Sequence, residues 1–219
     1  MKYLVLALAL LAALASVATA ATVSYGPVAV PLSTTNWGNS VYMQQFNPAF
    51  GTLNSITFYL DGHVEGAAKF ESLDASPTSV AMDLSAILRL KRPDYTDLVV
   101  TIPVVSTVDA STAFDGTIDF GGTSGATHAN LAADKQEFAV TSAAADKALF
   151  TGTGTILLPV TANGASSGSG AGNLLLQFQT LASASAWVTY DYTAVPEPSS
   201  LLALMGGAGF IGLAIRRRK

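Results

Sequence analysis

A chain of 219 residues that is 50% hydrophobic and only 12% charged has the composition of a membrane protein, but its hydrophobicity is concentrated at the two ends. Between those ends, residues 21–195 hold 6 basic and 14 acidic side chains, a net of −8 that repels phosphate backbones and argues against nucleic-acid binding. Cysteine is absent, which excludes disulfides, thiolate metal sites and a cysteine nucleophile.

The chain opens with Met1-Lys2-Tyr3, continues through an almost purely Leu/Ala/Val run over residues 4–14, and reaches Ala18-Thr19-Ala20. A positive start, a short apolar run and a small-x-small exit predict a secretory signal peptide over residues 1–20, cleaved after Ala20 with Ala18 as the second choice. The ordinary alternative, a buried N-terminal helix, lacks a polar face.

Residues 21–193 read as strands. Ile56, Phe58 and Leu60 alternate with Thr57 and Tyr59, and Val80, Met82, Leu84, Ala86, Leu88 and Leu90 make one long period-two run. Residues 98–105 are β-branched, with Pro103 marking an edge or bulge. Residues 129–142 and 143–150 are alanine-rich and are the two places where short helices could form, although neither shows a clear apolar stripe. Residues 163–173 are rich in Gly, Ser and Ala and read as a flexible hairpin loop. Leu174, Leu176, Phe178 and Thr180 alternate again, and the run Trp187 to Tyr192 closes the set. The pattern predicts an all-β fold: a single β-sandwich domain.

The C-terminal segment, residues 194–219, has three parts in order. Val195-Pro196-Glu197-Pro198 comes first, then an uncharged apolar stretch, then Arg216, Arg217, Arg218 and Lys219. A transmembrane helix over about residues 199–215 would span roughly 25 Å at 1.5 Å per residue, just short of a typical hydrocarbon core. The basic tail 216–219 should stay cytoplasmic and act as a stop-transfer cluster, which places the domain on the outer face. Pro196 and Pro198 hold the backbone extended, as a processing enzyme would need. A plain tail anchor whose prolines merely begin the helix is the physical alternative.

This tail resembles the PEP-CTERM sorting signal of Gram-negative bacteria. Pro196, Glu197 and Pro198 match the motif, Gly206, Gly207, Gly209 and Gly212 its glycine-bearing helix, and the basic cluster its end. The resemblance implies exosortase as a processing partner. Together the two ends imply Sec-type export, an inner-membrane-anchored precursor with a transient membrane anchor, and a product at the cell surface or outside the cell. The middle resembles the choice-of-anchor E type domain through Phe46-Asn47-Pro48-Ala49-Phe50-Gly51-Thr52-Leu53, through the run from Asp115-Gly116 to Ser124-Gly125, and through Phe150-Thr151-Gly152-Thr153-Gly154. That resemblance implies a surface setting and no defined activity.

Candidate chemistry is sparse. Asp115 and Asp119 among glycines could make an oxygen-ligand calcium loop, but the spacing is not that of an EF-hand, and Asp-Gly also favours a simple turn. His63, after Asp61-Gly62, and His128 read as solvated histidines in a turn and a polar loop. Trp37, Tyr42, Trp187, Tyr190 and Tyr192 could stack on sugars, but at alternating strand positions aromatics more often serve the core. Recognisable hydrolase and phosphate-binding motifs are absent. The expected function is a noncatalytic cell-surface or extracellular-matrix protein without cofactor. The alternative is a carbohydrate (exopolysaccharide)-binding module, which an exposed aromatic row would favour, and a small hydrolase comes third.

Overall fold

The computed structural model describes residues 19–170 and 172–195. Ten strands form two packed sheets: β1 (Ala20–Thr34), β2 (Trp37–Gln44), β3 (Gly51–Ser72), β4 (Thr78–Lys91), β5 (Asp97–Thr101), β6 (Val104–Ser111), β7 (Gly125–Thr141), β8 (Thr155–Gly164), β9 (Ser167–Ser169) and β10 (Leu174–Ala194). Among the described residues one short α-helix, α1 (Ala144–Phe150), lies between β7 and β8. The first sheet runs β1-β10-β3-β7; the second runs β2-β8-β4-β5, with β6 and β9 also paired to β4. All ladders are antiparallel. The all-β sandwich expected from period-two alternation is the fold observed.

Alternation explains the core directly. Ile56, Phe58, Leu60 and Val64 of β3 face Leu84, Leu88 and Leu90 of β4, and Leu158 and Val160 of β8 and Val188 and Tyr190 of β10 complete the same buried cluster. A smaller cluster of Ala68, Phe70, Val80 and Met82 fills the other end. Each large aliphatic or aromatic side chain so buried contributes roughly 1.5–3 kcal/mol relative to exposure. The phenol of Tyr190 donates to the Gln44 carbonyl at 2.8 Å, so this ring fills the core and keeps its hydroxyl paired.

Two local expectations are corrected and two refined. Residues 129–142 are not helical: all but Ser142 belong to β7, where Leu131, Ala133 and Ala139 pack inward while Phe138 and Val140 point out. Pairing with β3 overrides the alanine content, and only the second alanine-rich stretch forms a helix. Residues 98–105 are two strands, because Pro103 cannot donate to the ladder; β5 and β6 pair with successive halves of β4. The expected loop at 163–173 contains β9, which pairs with β4 at Ala81–Asp83. Finally, the runs around 174–180 and 187–192 are parts of one 21-residue strand, β10.

The two ends of the described chain meet. Ala20 pairs with Thr193, and the Ala194 amide donates to the Thr19 carbonyl at 3.0 Å. The motif Phe46 to Leu53 clamps this corner. Phe46 is fully buried, Asn47 caps a 3-10 turn over Pro48–Phe50 by accepting from the Ala49 amide, and the Val195 amide reaches the Phe50 carbonyl at 3.1 Å. Gly51 has φ 149°, and a Cβ there would lie 2.0 Å from the Thr193 carbonyl oxygen, so no other residue fits beside β10.

Candidate functional site

The outer face of the first sheet carries the most distinctive side chains. Odd-numbered β3 residues from 57 to 65 point away from the core, as do odd-numbered residues in the second half of β10 and even-numbered β7 residues from 132 to 140. The registers set Trp187 opposite Tyr59 and Tyr59 opposite Phe138, giving three adjacent aromatics across three strands. Trp187 and Tyr59 are stacked, with centroids 5.0 Å apart and planes 6° apart; Tyr59 and Phe138 follow at 6.0 Å and 38°. Parallel rings this close stand on edge rather than lying flat as a tiled floor. They form a rib across the sheet, with Phe138 63% exposed at its end. Behind Trp187, β1 bulges at Gly26 (φ +107°), where a Cβ would lie 2.7 Å from that of Trp187.

One same-face step along the sheet, the side chains become small and polar. Ser185 pairs with Asp61, and Ser183 with His63. Asp61, His63, Ser183 and Ser185, with Pro31 and Leu32 of β1, line a depression of about 320 Å³. The side chains of Asp61, Ser183 and Ser185 make no hydrogen bond or ion pair among the described residues. A second depression of about 310 Å³ follows along β10, lined by Glu65, Gly66, Asn130, Gln179 and Leu181 among others.

His63 stands between the two. Its Nδ1 lies 2.7 Å from Asp134 Oδ1 and its Nε2 3.3 Å from Glu65 Oε2. Both partners only accept, so the doubly protonated imidazolium satisfies both, and the Asp134 hydrogen bond is the chief cause of a raised pKa. The stabilisation is therefore fully present below the ordinary histidine value of about 6.5 and is lost as pH rises through the raised one. The expected turn at Asp61-Gly62-His63 is instead the middle of β3, and His128 lies in β7 rather than a loop, 2.8 Å from Asp109 of β6.

The glycine-rich run at 115–125 is a folded loop. Asp115 accepts from the amides of Thr117 and Thr123, which hold its pKa below the usual range, Thr117 first. Asp119 accepts from the Gly121 amide. Beneath them Glu71, fully buried, accepts from Ser124 Oγ at 2.6 Å and from the Phe120 amide at 2.8 Å. Asp115 and Asp119 thus spend oxygens on backbone amides, the turn reading of the sequence. Among the described residues no group of three or more His, Cys, Asp or Glu is placed to hold a metal ion.

The remaining aromatics divide. Tyr190 is core, Tyr192 packs on Phe46 and Phe50, and Trp37 donates to the Ala182 carbonyl at 3.2 Å. Tyr42 is 66% exposed on β2, a correction to its expected core role, because the alternation there turns it outward beside Leu157. Sequence reasoning singled out Trp187 but missed Tyr59, Asp61, Phe138, Ser183 and Ser185. The period-two rule placed Tyr59 opposite its core neighbours Phe58 and Leu60, but only the register aligns these five with Trp187.

Of the expected processing residues, Ala20 is the exposed first residue of β1. Ala18, Pro196, Glu197, Pro198, Arg216, Arg217, Arg218 and Lys219 lie outside the described residues, as do the expected signal peptide up to residue 18 and the helix at 199–215. Among the described residues no helix is long and apolar enough to cross a membrane.

No curated protein matches the chain. Solved structures are only distantly similar. The infectious bursal disease virus VP2 subviral particle has 11% identity over 91% of this chain and 48% of that one, with a TM-score of 0.19. The infectious bursal disease virus Gx strain structure has 12% identity over 91% and 46%, at 0.16. The Acinetobacter baumannii phage AM24 tailspike protein has 13% identity over 74% and 26%, also at 0.16. This chain spans less than half the length of each, and scores this low carry no argument. The family comparison is sharper: residues 194–219 match the PEP-CTERM protein-sorting motif, so the chain carries that motif directly at the foot of its last strand.

Proposed function

We propose that the chain is an exported, noncatalytic cell-surface or extracellular-matrix protein of a Gram-negative bacterium. Its signal peptide over residues 1–20 starts Sec-type export. The segment 194–219 then halts the chain in the inner membrane for an exosortase to process at Pro196-Glu197-Pro198. The middle serves as a surface domain of the choice-of-anchor E type. The observation that carries this reading is the sorting-motif match at 194–219, which begins at Ala194 where β10 ends. The pairing of Ala20 with Thr193 supports it, because it brings both expected processing points to one corner of the domain. Mass spectrometry of the surface form from cells carrying the enzyme tests it. The expected product lacks Met1 to Ala20 and the cluster Arg216 to Lys219. A surface form that still ends in that cluster makes the tail a permanent anchor and ends the sorting reading.

A second reading, carbohydrate binding, is favoured by one observation: the aromatic rib, half-buried at Trp187 and Tyr59 and exposed at Phe138, beside polar side chains that have no partner among the described residues.

A further inference from the structure

The geometry points to the outer face of the first sheet as a binding site for a neutral glycan chain, with Asp61, Ser183 and Ser185 as its hydrogen-bonding groups and the Trp187–Tyr59–Phe138 rib as its apolar wall. This deepens the second reading above, and it needs the domain to be exported only for the glycan to reach it.

The unpaired groups make the case. Asp61, Ser183 and Ser185 are half-buried, line one depression and have no protein partner among the described residues, so their hydrogen-bonding capacity is open to water or a ligand. A carboxylate with both oxygens available accepts from two neighbouring hydroxyls at once, and serine hydroxyls both donate and accept. Vicinal hydroxyls that need both services are the chemistry of a sugar. Carbon-bound hydrogens on the ring's other surface need an apolar neighbour, and the rib supplies one a single same-face step away. The depression, about 320 Å³, falls within the ordinary range of small-ligand sites.

Charge selects the kind of glycan. Asp61, Glu65 and Asp134 all stand on this face, and its imidazole is already committed to the last two. An anionic polymer would meet the unpaired Asp61 carboxylate, with the adjacent His63 already held by Asp134 and Glu65 and Lys69 eight residues further along β3, so uronic-acid and sulfated chains are disfavoured. The second depression extends the site along β10 past His63 and Glu65, which suits a chain of repeating units better than one sugar.

Calorimetric titration of the full chain in a detergent without a sugar headgroup tests this, with cellohexaose, laminarihexaose and maltohexaose as neutral probes and polygalacturonate as the acidic one. The expected result is saturable binding of at least one hexaose and none of polygalacturonate. Asp61→Asn should weaken that binding about 10-fold and Ser183→Ala by a smaller factor, while Tyr42→Ala on the other sheet changes nothing. Melting curves matching the parent chain show that these variants are folded. The proposal is overturned if no hexaose binds, if polygalacturonate binds as tightly, or if Asp61→Asn and Ser183→Ala both bind as the parent does. Processing at the C-terminus is read on a different product by mass, so either result can fail while the other stands.

Discussion

The two sheets differ in how far the polar groups they turn outward are paired. On the second sheet, Asp97 holds Arg89 at 2.6 Å and Lys91 at 2.8 Å, and Asp83 accepts from Ser106, so the polar groups close on one another. At its end Arg92 binds Asp146 of α1 through Nε at 2.7 Å and Nη2 at 2.9 Å, with Thr141 adding a third bond. On the first sheet Asp61, Ser183 and Ser185 stay open beside an aromatic rib. The first face has closed pairs too, His63 with Asp134 and Glu65, and the difference lies in the group of three that it leaves open beside them. A face whose carboxylates already hold cations stabilises the fold; a face with spare acceptors is available to something outside it.

Substitutions can break or sharpen that contrast. The largest effect is expected at Asp146→Asn, which leaves Arg92 without its paired anion: a loss of about 3 kcal/mol in chemical denaturation. Arg92, chiefly through its hydrogen bonds, lowers the Asp146 pKa. Its contribution is therefore full above the ordinary carboxylate value and fades as pH falls through the lowered one, so parent and variant should converge in acid. Next is Trp187→Ala, which removes the middle contact between β1 and Tyr59. About 2 kcal/mol should be lost by the same measurement, and Tyr59→Ala should then add less than it does alone. Asp97→Asn is partly exposed and should cost only about 0.5–1 kcal/mol, most of it gone in 1 M salt. Smallest is Asp61→Asn, with a change under about 0.5 kcal/mol in melting experiments. A loss above about 1 kcal/mol there would mean that Asp61 serves the fold, and the contrast between the faces would collapse.

The fold was legible because alternation is a local property. Ile56, Phe58, Leu60 and the six residues from Val80 to Leu90 announce their inward faces without reference to any partner. What could not be read was pairing. Nothing in Ala129 to Ser142 reveals that β3 will pair with it, so local alanine content pointed to a helix. The candidate site suffers most from this, since its residues are 59–61, 138 and 183–187, and only register joins them. Conversely, the turn at Asp115-Gly116 was readable because its carboxylate bonds amides two and eight residues away. The tail motif needs no fold at all, and there the sequence alone sufficed.

Strand order also sets a schedule. β10 is the last strand made, yet it sits between β1 and β3, with β1 reaching the sheet only through it. Until residues 174–194 are available, β1 has no neighbour in its own sheet and β3 lacks one of its two. Contacts between β1 and β10 join positions as far apart as Ala20 and Thr193, so loop-closure entropy also delays them. In a chain made N-terminus first, the first sheet is therefore completed only when the residue at which the sorting motif begins is available. Completion of that sheet and arrival of the sorting motif thus coincide in the order of synthesis.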